Sequence, residues 1–547
     1  MSSKSVPEKS PFKFRRNDSI GATDADDDSL LEDCFVDTGV TEVLMDTLDA
    51  KRLIVGRTGA GKTALIRRIS ESTERSIYLL PDSLALSYIS NSTILRYLHS
   101  LGVKLDIFYK LLWRHVFAIE LIKRHFHIMD QQSKETVVDK IKGMFRNKKH
   151  DRVLSYLENW GQSFWLQTDY RVQEITEKLE LELKASIQSM IPGFKFESSA
   201  SGKSTEEEKI EIIHRAQEVI NKVQIQELAK IIELIDDILS DPQIKYYILI
   251  DKLDEQWVDD GLKNYLIRAL IETVRDFKRI HNAKIIIAIR RDLLDRVYQH
   301  TRDSGFQEEK YESLYLDLVW KKEELEQILD SRVNQLIRSR YTTARISYRD
   351  ILPQKHLGKK VIDYICEISL MRPRDVIMFF NICIQKADGR STINTQILQD
   401  AEGEYSRNRL RSLADEWSAD YPNLLTFSSI LKNRPSAFPV SEIFVNQCED
   451  IVLDFLTTMP DHKVDCISEL AKKYTEGTID VFRFKREILT IFYRVGLIGL
   501  KIDSYDSIAW STIGARTVSV SEINEQTRIY VHRCFWRVLG IREPNLK

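Results

Sequence analysis

No apolar run in this sequence approaches the roughly 20 residues that a membrane-spanning helix needs. The longest runs, around Tyr246–Ile250 and Ile285–Ile289, are strand-length, so no membrane partner is expected. Lys4, Lys9, Arg15 and Arg16 near the N-terminus have no apolar stretch behind them, and a secretory signal is therefore not expected. The six cysteines, at 34, 366, 383, 448, 466 and 534, include no CxxC pair. That spacing argues against a disulfide framework or a zinc cluster and fits reduced thiols in the cytoplasm. A charge excess is missing as well: 80 Lys and Arg stand against 82 Asp and Glu, for a net charge of -2. Such a chain exerts no global attraction on nucleic acid, so any DNA contact must come from a local patch.

What is present is ample material for a core. The chain has 547 residues, 43% of them hydrophobic and 30% charged, which at about 150 residues per domain predicts three or four units. Residues 1–33 are polar and carry Asp24, Asp26, Asp27 and Asp28, a composition that predicts a disordered tail. Short apolar runs at Arg52–Val55 and Ser76–Leu80 read as strands and define the first half of a nucleotide-binding domain over 34–85. From 86 to 240 the strand signal vanishes and helical periodicities take over, with a basic cluster at Lys140, Lys142, Arg146, Lys148, Lys149 and Arg152. This reads as a helical insertion, its longest helices forming a hairpin arm. The domain resumes over 241–320 with strands at Tyr246–Ile250, Lys284–Ile289 and Tyr315–Trp320 around a helix at Asn264–His281. Alternating strand and helix predict a parallel α/β sheet. Residues 321–435 read as a helical lid. Over 436–547, helices at Glu442–Thr458, Cys466–Lys473 and Asp480–Arg494 precede short strands at Val495–Ile502, Ile508–Trp510 and Thr517–Val520, the order of a winged helix.

One segment carries specific chemistry. Gly56, Arg57, Thr58, Gly59, Ala60, Gly61, Lys62 and Thr63 spell GxxxxGK[ST] in full, between an apolar strand and a helical run. The glycines let the backbone turn so that its N–H groups close around phosphates, and the following helix N-terminus adds partial positive charge. Lys62 is suited to the β- and γ-phosphate oxygens and the Thr63 hydroxyl to magnesium. A second segment supplies the acids. The run Tyr246–Ile250 delivers Asp251 to the carboxyl end of a buried strand, where ligands of parallel sheets bind. Asp251 is expected to hold Mg2+ through water, and Asp254 or Glu255 to polarise the attacking water, with Glu255 preferred. The expected ligand is ATP with Mg2+, and the expected activity is ATP hydrolysis.

With these segments the chain resembles the STAND and KAP-like branch of P-loop ATPases, relatives of the AAA+ class. The likeness rests on Gly56–Thr63, Asp251-Lys252-Leu253-Asp254-Glu255, Ile289-Arg290-Arg291-Asp292, Leu316–Trp320 and Arg372-Pro373-Arg374-Asp375. The resemblance implies a nucleotide-driven switch that oligomerises or acts on a partner effector protein, in a group often tied to phage defence. It also implies sensor roles for Arg290, at the end of the strand beside the acidic one, and for Arg374, at the start of a lid helix. Lys252 departs from the paired acids common in that class, and Arg291, Arg296 and Arg302 are candidates for an arginine finger. The alternative is a DNA-binding ATPase of the initiator or loader type, reading DNA with Arg483, Lys485, Arg486 and Arg494. Near balance of charge over 441–547 disfavours it. His532 and Trp536 read as core or interface residues.

Overall fold

The structure is a computed structural model that describes residues 12–84, 106–125, 240–302, 307–341, 345–458, 465–511 and 518–542, with short stretches between 97 and 105 and between 181 and 239. The basic cluster at 140–152 lies outside the described residues, as does nearly all of the expected hairpin arm. The described chain divides into two compact units, one of residues 37–57 and 62–319, the other of residues 1–36, 58–61 and 320–547.

The first of these units is mixed α/β, built on five parallel strands: β1 (Leu53–Gly56), β2 (Ser76–Leu79), β3 (Tyr246–Ile250), β4 (Ala283–Arg290) and β5 (Tyr315–Asp317). Their order is β2-β3-β4-β1-β5. Continuous apolar runs such as Tyr-Tyr-Ile-Leu-Ile in β3, buried along their whole length, are what a sheet covered on both faces requires. Registers of Leu53 with Ile287 and of Ile250 with Ile287 fix β4 between β1 and β3. The glycine-rich turn after β1 and the acidic segment after β3 therefore leave the same edge of the sheet, one strand apart. β5 is shorter than expected. The Leu318 amide still donates to the Val55 carbonyl at 2.8 Å, but Val319 is exposed. The Asp106–His125 helix packs on the Asp260–Asp276 helix, where the Trp113 indole donates to the Leu266 carbonyl at 2.9 Å.

The other unit gathers the helices Lys322–Arg340, Val361–Ile368, Pro373–Lys386 and Thr395–Glu416 around a core that includes Leu329, Ile365, Phe379, Phe380 and Tyr405. A small hairpin, β6 (Lys355–His356) and β7 (Lys359–Lys360), precedes the second of them. Further on come the helices Val445–Thr458, Cys466–Thr475 and Val481–Val495 and an antiparallel sheet of β8 (Ala437–Pro439), β9 (Ile498–Lys501) and β10 (Arg528–Val531), in the order β8-β10-β9.

Two expectations are corrected here. Residues 12–33 are not a disordered tail. Phe12, Phe14 and Ile20 are buried, the Asp28 carboxylate pairs with Arg332 at 2.6 Å with both side chains nearly inaccessible, and Asp18 accepts from Arg340 and Tyr341. A few anchors outweigh a polar average, because the acids meet buried or half-buried partners instead of water. The strand expected at Thr517–Val520 is also absent from residues 518–520. The Glu522 side chain reaches back to the Ser519 amide at 2.7 Å and turns the chain, and β10 pairs with β9 in its place.

Candidate functional site

Lys62 opens the Lys62–Glu71 helix directly after the glycine-rich turn. Its ammonium donates to the Gly56 and Arg57 carbonyls at 3.1 and 3.0 Å. Burial pushes its pKa down to about 8, against the pull of Asp254 and Asp251. A buried ammonium that ionises this close to neutrality is held charged largely by its carboxylate neighbours. Asp251 comes from the end of β3 and is buried. Its Oδ1 accepts from the Lys252 amide at 2.8 Å, and Lys252 takes the left-handed conformation, φ 61°, to present that amide. Burial raises the Asp251 pKa above the usual carboxylate value, outweighing the lowering by a hydrogen bond from Thr63, the Lys252 amide and the charge of Lys62. Oδ2 of Asp251 is buried and makes no hydrogen bond of good geometry among the described residues. Lys62, Thr63 and Asp251, about two hundred residues apart in the chain, thus meet at one sheet edge.

The two acids beyond Asp251 differ in placement. Asp254 acts on both Lys62 and Asp251, and its half-exposed carboxylate lies 3.4 Å from Arg290 Nη1. The Glu255 carboxylate is exposed and has no ion pair or hydrogen bond among the described residues. The turn that carries both is fixed by a buried lysine, Lys263, whose ammonium donates to the carbonyls of Asp254 and Glu255 at 3.0 and 2.6 Å. Arg290 ends β4 and grips Asp292 with two hydrogen bonds, 3.1 and 2.8 Å. Arg291 pairs with Asp317, Arg296 lies 3.7 Å from Asp292, and Arg302 is exposed.

The apex of the turn, Thr58–Gly61, belongs to the other unit. Gly59 and Gly61 have φ of 77° and 94°, the left-handed conformation that glycine adopts without steric cost. A Cβ on Gly59 would also meet Arg374 Cβ at 2.9 Å. Arg374 lies in the first turn of the Pro373–Lys386 helix. Its amide faces the Gly59 carbonyl at 3.4 Å, and its guanidinium donates to the Thr23 carbonyl at 3.1 Å. Sequence reasoning assigned no role to two neighbours. Arg372 Nη1 donates to the Thr58 carbonyl at 2.8 Å and the Trp320 indole to the Ala60 carbonyl at 2.7 Å. Both lie in segments that carry the resemblance, yet these contacts could not be read there, because their acceptors are backbone atoms.

The Val481–Val495 helix spends most of its cations internally. Lys485 is buried, Arg486 donates to the Val520 carbonyl, and Arg494 donates to the Tyr421 hydroxyl at 2.8 Å. Arg483, 3.9 Å from Glu487, and Arg494 are the exposed cations of this helix. His532 and Trp536 sit in packed surroundings: His532 meets Trp510 edge to face, and the Trp536 indole donates to the Val531 carbonyl at 2.8 Å. No helix of the described residues is long and apolar enough to cross a membrane.

Comparison with known proteins adds two findings. Residues 323–414, the helical stretch from Lys322–Arg340 to Thr395–Glu416, match the FunZ-associated C-terminal helical domain. The chain is also similar to the putative transposon gamma-delta 80.3 kDa protein of Escherichia coli (strain K12), at 22% identity over 550 residues, covering 97% of this chain and 68% of that protein.

Proposed function

We propose that the chain is an ATPase used as a switch: it binds ATP with Mg2+ at the turn Gly56–Thr63 and hydrolyses it. The observation that carries this reading is the meeting of Lys62, Thr63 and the buried Asp251 at the carboxyl edge of a parallel sheet. Among the described residues the amides of Thr58–Gly61 enter no hydrogen bond, and the helix that follows adds its N-terminal dipole. The residues fit the ligand. A buried carboxylate oxygen with no hydrogen bond of good geometry suits a cation held through few protein ligands and several phosphate or water oxygens, the habit of Mg2+. Asp251 and Thr63 would hold that ion, whose chemistry is to neutralise charge on the β- and γ-phosphates. Lys62 binds the phosphate oxygens, exchanging two carbonyls for stronger charged acceptors. Asp254 orients or deprotonates the attacking water, a role its coupling to Lys62 favours over Glu255. Arg290 holds Asp254 in place and stands ready to register the phosphate.

The test is steady-state ATP hydrolysis with and without Mg2+. We expect slow, Mg2+-dependent turnover that Lys62→Ala abolishes and that Asp254→Asn reduces by about a hundredfold, the lower range for a general base, with Glu255→Gln milder. Turnover unchanged in Lys62→Ala sinks the proposal. The switch reading further calls for a change in assembled size between ATP- and ADP-loaded protein. It treats the C-terminal helices and sheet as a winged helix used for packing.

A DNA-acting ATPase is the second reading, favoured by the likeness to a protein named for a transposon. Salt-sensitive duplex binding is its mark, and the engagement of Lys485 and Arg486 within the fold weighs against that helix as the reader.

A further inference from the structure

Five consecutive carbonyls of the glycine-rich turn accept hydrogen bonds. Gly56 and Arg57 accept from Lys62, Thr58 from the Arg372 guanidinium, Gly59 from the Arg374 amide and Ala60 from the Trp320 indole. A backbone whose residues alternate in handedness turns successive N–H groups to one side and its carbonyls to the other. Pinning the carbonyls therefore aims the amides. The last three donors come from the segment 320–374, not from the motif itself, and two of them are side chains.

The more expensive of these donors is Arg372. It is buried, and such a cation is retained only with partners. Its Nε lies 2.6 Å from Asp375, fully buried one helical turn on. Burial alone raises the Asp375 pKa, yet Arg372, Arg409 and the Tyr405 hydroxyl outweigh it and hold the carboxyl below the usual range. Tyr405 donates to Asp375 at 2.8 Å, and Arg409 in turn pairs with Glu416 at 2.8 Å. An ordered chain of charges in the helices Pro373–Lys386 and Thr395–Glu416 thus ends on the Thr58 carbonyl. Trp320 does the simpler job: its ring lies 3.7 Å from where a Cβ on Gly61 would stand, and its N–H fixes the Ala60 carbonyl.

Resting on the proposed binding of ATP, we infer that Trp320 and Arg372 are positioning residues for the triphosphate, which hold the amides of Thr58–Gly61 in their phosphate-facing arrangement by clamping the carbonyls behind them. Part of the phosphate affinity is then set by the region matching the FunZ-associated helical domain, through Asp375, Tyr405 and Arg409.

The experiment is a titration of the full-length chain and its variants with ATP and Mg2+, repeated with inorganic tripolyphosphate as competitor, alongside thermal melts. Trp320→Phe keeps the ring and loses one N–H. It should weaken ATP and tripolyphosphate alike by about fivefold, the worth of one hydrogen bond, with an unaltered melting temperature. Arg372→Met should weaken both further, and Arg372→Lys, which can still reach one carbonyl, should restore part of the loss. Should Arg372→Met fail to fold, Trp320→Phe and Arg372→Lys decide. Wild-type affinity for both probes in a folded Trp320→Phe protein overturns the clamp while leaving ATP binding intact. A wild-type chain that binds neither probe removes the ATP reading and the clamp with it.

Discussion

Lys62 is the residue on which the electrostatics of the site turn. Its folded-state pKa is depressed to about 8 by burial, so the ligand-free ammonium loses its proton as pH rises through that value. A bound triphosphate favours the charged form and raises the pKa, which makes binding take up a proton above pH 8. The affinity for ATP should therefore fall as pH climbs past 8, at most about tenfold per unit, and Lys62→Met should be weak and flat over the same range. Isothermal titration at pH 7, 8 and 9 checks both; equal wild-type affinity at all three contradicts the role given to this lysine. The turn itself was legible in the sequence, because the eight residues from Gly56 to Thr63 are contiguous and lie between a strand and a helix. The contacts of Arg372 and Trp320 were not, although both residues lie in segments that carry the resemblance. Their partners are carbonyls of Thr58 and Ala60, and a carbonyl leaves no mark on the residue type that bears it.

At the scale of elements, periodicity located the strands well and composition misjudged the N-terminal segment. β1, β3 and β4 are apolar runs bounded by glycine, proline or charge, and burial on both faces is what such runs signal; β2, at the sheet's edge, is largely half-exposed. Residues 12–33 lack any such run. They are held instead by isolated contacts: Phe14 exchanges backbone hydrogen bonds with Gly389 and Arg390 at 2.8 and 2.9 Å, Asn381 bridges Ile20 and Gly21, and Asp28 pairs with Arg332. Asp28 also accepts from the amides of Ala22 and Leu30, each at 3.2 Å. Removing one partner of such a buried pair leaves an uncompensated charge and costs about 3 kcal/mol or more. Asp28→Ala is thus expected to lower the urea midpoint of the unit formed by residues 320–547 and to expose the segment around Thr23 to limited proteolysis. An unchanged midpoint and cleavage pattern would mean that the segment is passenger chain. β10 shows the complementary failure: its pairing with β8, some ninety residues earlier, is a long-range choice that no window of local pattern contains.

For the molecule as a whole, the described residues form two compact units with separate hydrophobic cores, and the similarity to the transposon gamma-delta protein runs along both. The alternation of strand and helix announced the parallel sheet, and the two motifs together implied that Gly56 and Asp251 meet at one edge; which strand separates them, β4, comes from the structure. In the proposed function, that juxtaposition binds a single metal-bound triphosphate. It is tested most directly by the gain in ATP affinity that Mg2+ confers on the wild-type chain, on Thr63→Ala and on Asp251→Asn. We predict a gain of at least about tenfold in the wild type, of the size lost when a metal ligand or its support is removed, reduced in Thr63→Ala and abolished in Asp251→Asn. An equal gain in Asp251→Asn, or none in the wild type, would contradict it.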